Sequence, residues 1–212
     1  MAGDSNHDAD AGSEATRLER LWAGGFGDAY VERNRIPAEQ RLPFWRDILA
    51  EFPARRVLEV GCNLGGNLAP IAQVIDPTCA FGVDVNQKAL QLLRASVPGV
   101  NAVSGAAREL PFRDRWFDMT FTMGVLIHQS PEALPVVMSE VVRCSSRFVL
   151  CGEYYSEEPT VVSYRGEERA LFKRDFGALY RELFPELRLR RRGHLTRAEG
   201  WDDVTYWVFE RS

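Results

Sequence analysis

The sequence predicts a doubly wound α/β fold: a mostly parallel seven-stranded sheet with helices on both faces and an antiparallel strand pair at its C-terminal end. Three observations point there. Short apolar runs alternate with helix-like segments through residues 55–155. The stretch RVLEVGCNLGGNLAPI (56–71) passes from strand to glycine-rich turn to helix. The polar and glycine residues fall where successive strands end, on one edge of such a sheet. Repeated strand–helix alternation with strands buried on both faces is the pattern of a parallel sheet with right-handed crossovers.

Taken in order, residues 1–16 (MAGDSNHDADAGSEAT) read as a disordered tail. Its four acids and no base account for the whole formal net charge of −4, leaving 26 acids against 26 bases. So polar a segment cannot bury a core, which also argues against His7 as a ligand. Residues 17–212 then form one domain, a length ordinary for a single core. Its N-terminal part, 17–52, is expected to be a helical lid or substrate segment. RRVLEV (55–60) precedes a helix near 66–75, CAFGVDV (79–85) a helix near 87–96, and VNAVSG (100–105) a polar connector. FDMTFTMG (117–124) precedes a helix starting near Pro131, capped by Ser130. RFVLCGEYY (147–155) makes the fifth strand. In 156–212, a helix over 169–184 precedes LRLRRRG (187–193) and DDVTYWVFE (202–210), which pair antiparallel.

Composition narrows the function. Four cysteines without Cys-x-x-Cys spacing favour reduced thiols in a cytoplasmic protein and give no reason to expect a metal. Neither a membrane span nor a signal peptide is legible. The arginines of LRLRRRG alternate with Leu187 and Leu189, so they read as the solvated face of a strand and no nucleic-acid partner is expected. A monomer or homodimer is expected.

In an open sheet of this kind, ligands bind beyond the carboxyl ends of the strands. Glu59 and Gly61 end the first strand, Asp84 the second, Gly105 follows the third, Gly124 to His128 the fourth, and Glu153 to Tyr155 end the fifth. Each could equally be a turn glycine or a helix-capping acid. A glycine turn offers bare backbone and a helix N-terminus to a ligand. An acid two residues before the first glycine would repel a pyrophosphate and suits a cation. Glu59 for an ammonium and Asp84 for a ribose diol would fit S-adenosylmethionine.

These residues resemble the class I S-adenosylmethionine-dependent methyltransferases, with their Rossmann-like fold and first motif of acid-x-Gly-x-Gly-x-Gly. Here it reads Glu59-Val60-Gly61-Cys62-Asn63-Leu64-Gly65, with Asn63 replacing a glycine; Asn tolerates left-handed backbone. GVDVN resembles the second motif, placing Asp84 on the ribose with Val85 and Asn86 beside it. SGAARELPF resembles the adenine segment at Gly105, Ala106 and Ala107, but lacks its usual acid. MGVLIHQSP resembles the fourth-strand loop, bringing Met123, Gly124 and Val125 to the methionine end. The resemblance implies cofactor contacts from these residues and from Asn67, with S-adenosylhomocysteine as product. More narrowly, WAGGFGDAYVERN (22–34), EYYS (153–156), YRG (164–166), LFKRDF (171–176) and the closing DDVTYWVFE are similar to the methylases found with pseudaminic acid biosynthesis genes. That implies a bacterial biosynthetic enzyme with a polar, sugar-like acceptor.

Methyl transfer needs an acceptor held in line with the methyl group, and a base is optional. His128 is the candidate general base, with Glu153 and Tyr154 as further catalytic candidates; each also has an ordinary packing role open to it. Tyr30, Arg33, Asn34, Tyr155, Tyr164, Arg165, Lys173 and Arg174 are the candidate acceptor contacts, the basic ones suiting a carboxylate or phosphate. Trp22, Phe26 and Tyr30, spaced by four, could instead be one apolar helix face. Two other functions stay open: a non-catalytic nucleotide-binding module and an NAD-dependent oxidoreductase.

Overall fold

The computed structural model describes residues 13–33 and 37–212. A seven-stranded sheet runs in the order β3 (Asn101–Ser104), β2 (Ala80–Asp84), β1 (Val57–Val60), β4 (Phe117–Met123), β5 (Ser145–Glu153), β9 (Val204–Arg211), β8 (Leu187–Leu195). The first five are parallel, and β9 runs antiparallel to both β5 and β8. The expected architecture is therefore present. β1 is buried along its whole length, as a strand covered on both faces must be.

Successive strand residues divide between two cores. Val57, Met119, Phe121 and Leu150 face α3 (Ala38–Glu51), α4 (Leu68–Ile71) and α5 (Gln87–Ser96), where Trp45, Ile48, Leu68 and Leu93 are buried. Leu58, Val60, Val149 and Phe209 face α6 (Leu134–Cys144) and α7 (Phe176–Leu183) through Val137, Met138, Val141 and Tyr180. Burying such side chains is worth roughly 1.5–3 kcal/mol each. This two-sided packing fixes the sheet and hence its carboxyl edge.

Several boundaries differ from expectation for identifiable reasons. The tail ends earlier than residue 16: α1 (Glu14–Ala23) begins at Glu14, with the Ser13 hydroxyl accepting from the Thr16 N–H at 3.4 Å. His7 lies outside the described residues. The helix expected over 66–75 is the single turn of α4, because beyond Pro70 the Gln73 and Val74 N–H groups bond to carbonyls three residues back. Ser130 does not cap α6, whose N-cap is Ala133 without a side-chain bond; its hydroxyl accepts from the Ala133 N–H inside a turn that also holds Pro131. The helix expected over 169–184 is a strand and a shorter helix. β6 (Thr160–Tyr164) and β7 (Glu167–Lys173) form a hairpin outside the main sheet, turning at Arg165 and Gly166 with φ of 52° and 87°. Only from Phe176, with Asp175 accepting the Ala178 N–H at 2.8 Å, does the chain become helical.

α1 and α2 (Gly25–Arg33) lie over the carboxyl edge. The Asn86 amide ties them down, donating to the Trp22 carbonyl at 3.1 Å and to Asp28 at 3.0 Å. The hairpin holds their other side: Arg169 pairs with Glu14 at 2.8 Å, and Arg17 donates to the Glu168 and Arg169 carbonyls.

Candidate active site

Between these two helices and the ends of β1 to β5 lies a cleft of about 210 Å³. At its floor Gly61 and Asn63 take left-handed backbone, φ 75° and 46°, so the turn can fold back over β2. The Gly61 and Cys62 N–H groups then bond to the Val83 carbonyl at 2.8 and 3.1 Å. A Cβ on Gly61 would stand 2.4 Å from the Val125 side chain. The expected reason for this glycine was the approach of a ligand; the structure adds the close packing of the β4 loop. Gly65 does not line the cleft and packs against Leu93, whereas Gly66 does line it.

Glu59 is 2 % exposed and lines the floor. Its Oε1 accepts from the Asn67 amide at 2.6 Å. The Asn67 oxygen accepts in turn from Arg41 at 3.1 Å and from the Trp45 indole at 3.4 Å, so it is the amide nitrogen that faces Glu59. Glu59 Oε2 has no partner among the described residues. Burial raises its pKa to about 8, against the opposing pull of Asn67 and Arg41. A carboxylate so placed is ionised most readily when a cation arrives to meet its free oxygen. Asp84, at the end of β2, accepts the Asn63 and Asn86 N–H groups, one on each oxygen, both at 2.8 Å. Burial raises its pKa as well. Each oxygen keeps a second lone pair, the capacity a vicinal diol needs. Of the residues expected at the cofactor, Cys62, Asn63, Asn67, Val85, Asn86, Gly105, Ala107, Met123, Gly124 and Val125 line the cleft, while Ala106 does not.

The catalytic candidates separate. Glu153 is fully buried and off the cleft, and accepts the N–H groups of Val125, Leu126 and Ile127 at 3.2, 3.0 and 3.3 Å. It anchors the β4 loop and has no access to an acceptor. Its pKa is still raised to about 7 by burial. His128 does line the cleft, packed between Trp22 and Tyr164 with ring centroids 4.5 and 5.3 Å away. Its Nδ1 lies 2.6 Å from the Ala170 carbonyl; a carbonyl only accepts, so Nδ1 carries the proton and Nε2 the lone pair. Burial lowers its pKa to about 4, so the ring is neutral at physiological pH and a weak proton acceptor. Tyr154 lines the cleft with its pKa raised by burial, and Tyr30 is pushed up to about 12. Both phenols therefore remain protonated and can donate.

Of the expected acceptor contacts, Tyr30 and Tyr164 line the cleft; Arg33, Tyr155, Arg165, Lys173 and Arg174 do not. The hairpin explains the basic ones: with 167–173 extended, Arg165 sits at its tip over Tyr164, Lys173 lies over Tyr154 and Arg174 over Phe172. Tyr155 is half-exposed, packed with Arg192 and Trp207. Asn34 lies outside the described residues. Trp22 both packs and lines the cleft, meeting Phe26 and Tyr30 edge-on at 5.2 Å. The sequence reading missed Glu19, Arg41, Arg108 and Asp202, all of which line the cleft.

Comparison with known proteins follows the same outline. Residues 57–146 match a protein family described as a methyltransferase domain. A fatty-acid O-methyltransferase of Mycolicibacterium smegmatis is 34% identical over 99 residues, 44% of this chain and 34% of that protein. A phthiotriol/phenolphthiotriol dimycocerosates methyltransferase of Mycobacterium ulcerans is 37% identical over 71 residues, 32% of this chain and 26% of that protein. The aligned part thus spans about a third or less of these relatives' length. Among solved structures, magnesium protoporphyrin IX methyltransferase from Synechocystis PCC 6803 with bound S-adenosylmethionine superposes with a TM-score of 0.70 at 14% identity, covering 96% of this chain and 100% of that one. Burkholderia thailandensis 1,6-didemethyltoxoflavin-N1-methyltransferase, with bound 1,6-didemethyltoxoflavin and S-adenosylhomocysteine, gives 0.70 at 17% identity, covering 99% of this chain and 93% of that one. At such identities the likeness is one of fold.

Proposed function

We propose that this chain is an S-adenosylmethionine-dependent methyltransferase acting on a small ring-bearing acceptor through an oxygen or nitrogen atom. The observation that carries the reading is the pair of acids at adjacent strand ends. Glu59 offers a buried, unpartnered oxygen that suits an ammonium, and Asp84 offers the lone pairs that suit a ribose diol. The methyltransferase-domain match over the same strands supports it. A pyrophosphate would oppose the ionisation of Glu59 and leave its unpartnered oxygen without a cation, which disfavours NAD.

When bound, the cofactor supplies an electrophilic methyl group on a sulfonium. The chain supplies position. Glu59, oriented by Asn67 and Arg41, fixes the amino-acid end, and Asp84 fixes the sugar. The β4 loop, held by Glu153, shapes the wall between them. Trp22, Tyr30, Tyr154, Tyr164 and His128 line the remaining side. Aromatic faces with phenol donors suit a ring carrying hydroxyl or amine groups, a description that includes a sugar-like acceptor. No basic residue from the hairpin lines this chamber, and the two arginines that do, Arg41 and Arg108, are engaged with Asn67 and Glu19. His128 Nε2 accepts a hydrogen bond and orients the attacking group, and most of the acceleration comes from alignment.

Calorimetry with S-adenosylhomocysteine and NAD tests the cofactor: binding of the first without the second is expected, and the reverse would overturn the reading. Transfer of a labelled methyl group from the donor into small molecules of a cell extract separates an enzyme from a binding module.

A further inference from the structure

We infer that the base of the cofactor is read by the N-terminal helix α1, through the Glu19 carboxylate at the cleft's β3 end. The inference rests on the proposed cofactor. In that molecule amino acid, ribose and base are joined in this order. With the ammonium at the end of β1 and the ribose at the end of β2, the base extends toward β3, the next strand of the sheet. There the main chain presents Gly105, Ala106 and Ala107, whose side chains cannot hydrogen-bond. The Ala107 N–H bonds to no acceptor among the described residues.

Helix α1 covers this end. Ala15, Leu18, Glu19 and Trp22 all line the cleft, and their spacing puts them on one helical face. Glu19 Oε2 is held by Arg108 Nε at 2.9 Å, a pair that joins α1 to the segment after β3. Glu19 Oε1 makes no hydrogen bond among the described residues. It can accept from an exocyclic amine while the unbonded Ala107 N–H donates to the neighbouring ring nitrogen, which together describe a 6-aminopurine edge. Recognition of the base then requires α1 in the seat that Arg108 and Arg169 give it.

The test compares S-adenosylhomocysteine with S-inosylhomocysteine, in which an oxo group replaces the amine, by calorimetry on folded protein verified by circular dichroism. Wild type should prefer the amino compound by roughly 10–100-fold, the worth of one hydrogen bond to a charged group. Glu19→Ala should reduce that preference about tenfold, mainly by weakening the amino compound, and the preference that remains comes from the Ala107 N–H, which faces a ring nitrogen in one compound and a ring N–H in the other. Glu19→Gln, whose amide can donate to the oxo group, should move the preference toward the inosine compound. A wild type that binds both compounds equally overturns the inference. So does a Glu19→Ala protein that loses both equally, since Glu19 would then be a latch only. A wild type that binds neither compound overturns the proposed cofactor itself.

Discussion

Glu59 and Glu153 end strands β1 and β5, two places apart in the same sheet, and both are buried acids with raised pKa values. Their hydrogen bonding is opposite. Glu153 receives three backbone N–H groups from one loop, so its acceptor capacity is spent on the chain. Glu59 receives one amide and keeps a whole oxygen buried without a partner among the described residues. Burying a carboxylate is costly unless something compensates it. Where the chain provides the compensation, the acid is architecture; where it does not, the acid has capacity to spare for the cation we propose.

The largest effect should come from removing the satisfied acid. Glu153→Ala leaves three N–H groups buried without an acceptor and should cost about 3–5 kcal/mol of stability by chemical denaturation. A loss under about 1 kcal/mol would mean that the β4 loop is anchored by something else.

Glu59→Gln should do the reverse. Stability of the free protein should stay within about 1 kcal/mol of wild type or rise, because an unpartnered buried acid is removed. Affinity for S-adenosylhomocysteine should fall roughly 10–100-fold. Melts and calorimetry on the one variant check both, and a large stability loss would erase the distinction between the two acids.

The pH dependence sharpens the same contrast. Folding raises the Glu59 pKa from an ordinary 4.5 to about 8, so between these values the folded state holds a proton that the unfolded chain has released. The resulting stability is fully present below the unfolded value and is lost as pH rises through about 8. An ammonium ligand selects the ionised form. Its affinity should therefore climb up to about tenfold per pH unit on approaching that pKa from below. Methylthioadenosine, which lacks the amino-acid portion, should show little slope, as should Glu59→Gln with the full ligand.

The smallest effect is expected at His128. A general base would be worth roughly 10²–10⁴ in turnover, but a neutral imidazole with a pKa of about 4 is poorly matched to that task. His128→Ala should lose less than about tenfold in single-turnover rate and keep the alkaline limb of the pH profile. A loss above a hundredfold with a shifted limb would restore it as the base.

The sequence is legible where chemistry is local. Glu59, Gly61, Asn63 and Asp84 lie within one strand–turn–helix–strand unit, and all four line the cleft. Asn63 could be read as left-handed because asparagine tolerates that backbone, and it is. Legibility fails where partners are distant. Arg41 meets Asn67 from 26 residues away and Glu19 meets Arg108 from 89, so neither residue had a local pattern to mark it. The hairpin failed differently. Ala170, Leu171 and Phe172 run toward a true helix, and helical spacing carried across the junction. The Arg165–Gly166 turn and the Asp175 cap were the signals that could have divided the segment. Without that division, Arg165, Lys173 and Arg174 read as facing a cleft that they do not line.

The arginines of β8 have a consequence of another kind. β8 is the free edge of the main sheet beyond β9, and its Leu189 is exposed. An open edge with an exposed leucine invites a strand from another molecule, the first step toward fibrous or amorphous association. Arg188, Arg190, Arg191 and Arg192 cluster there, with Arg190 and Arg191 held in place by Glu210, Asp47 and Glu51. A second copy docking by the same edge would bring Arg188 and Arg192, which no ion pair offsets among the described residues, against their own counterparts, so a strand far from the cleft carries a charge that opposes edge-to-edge pairing.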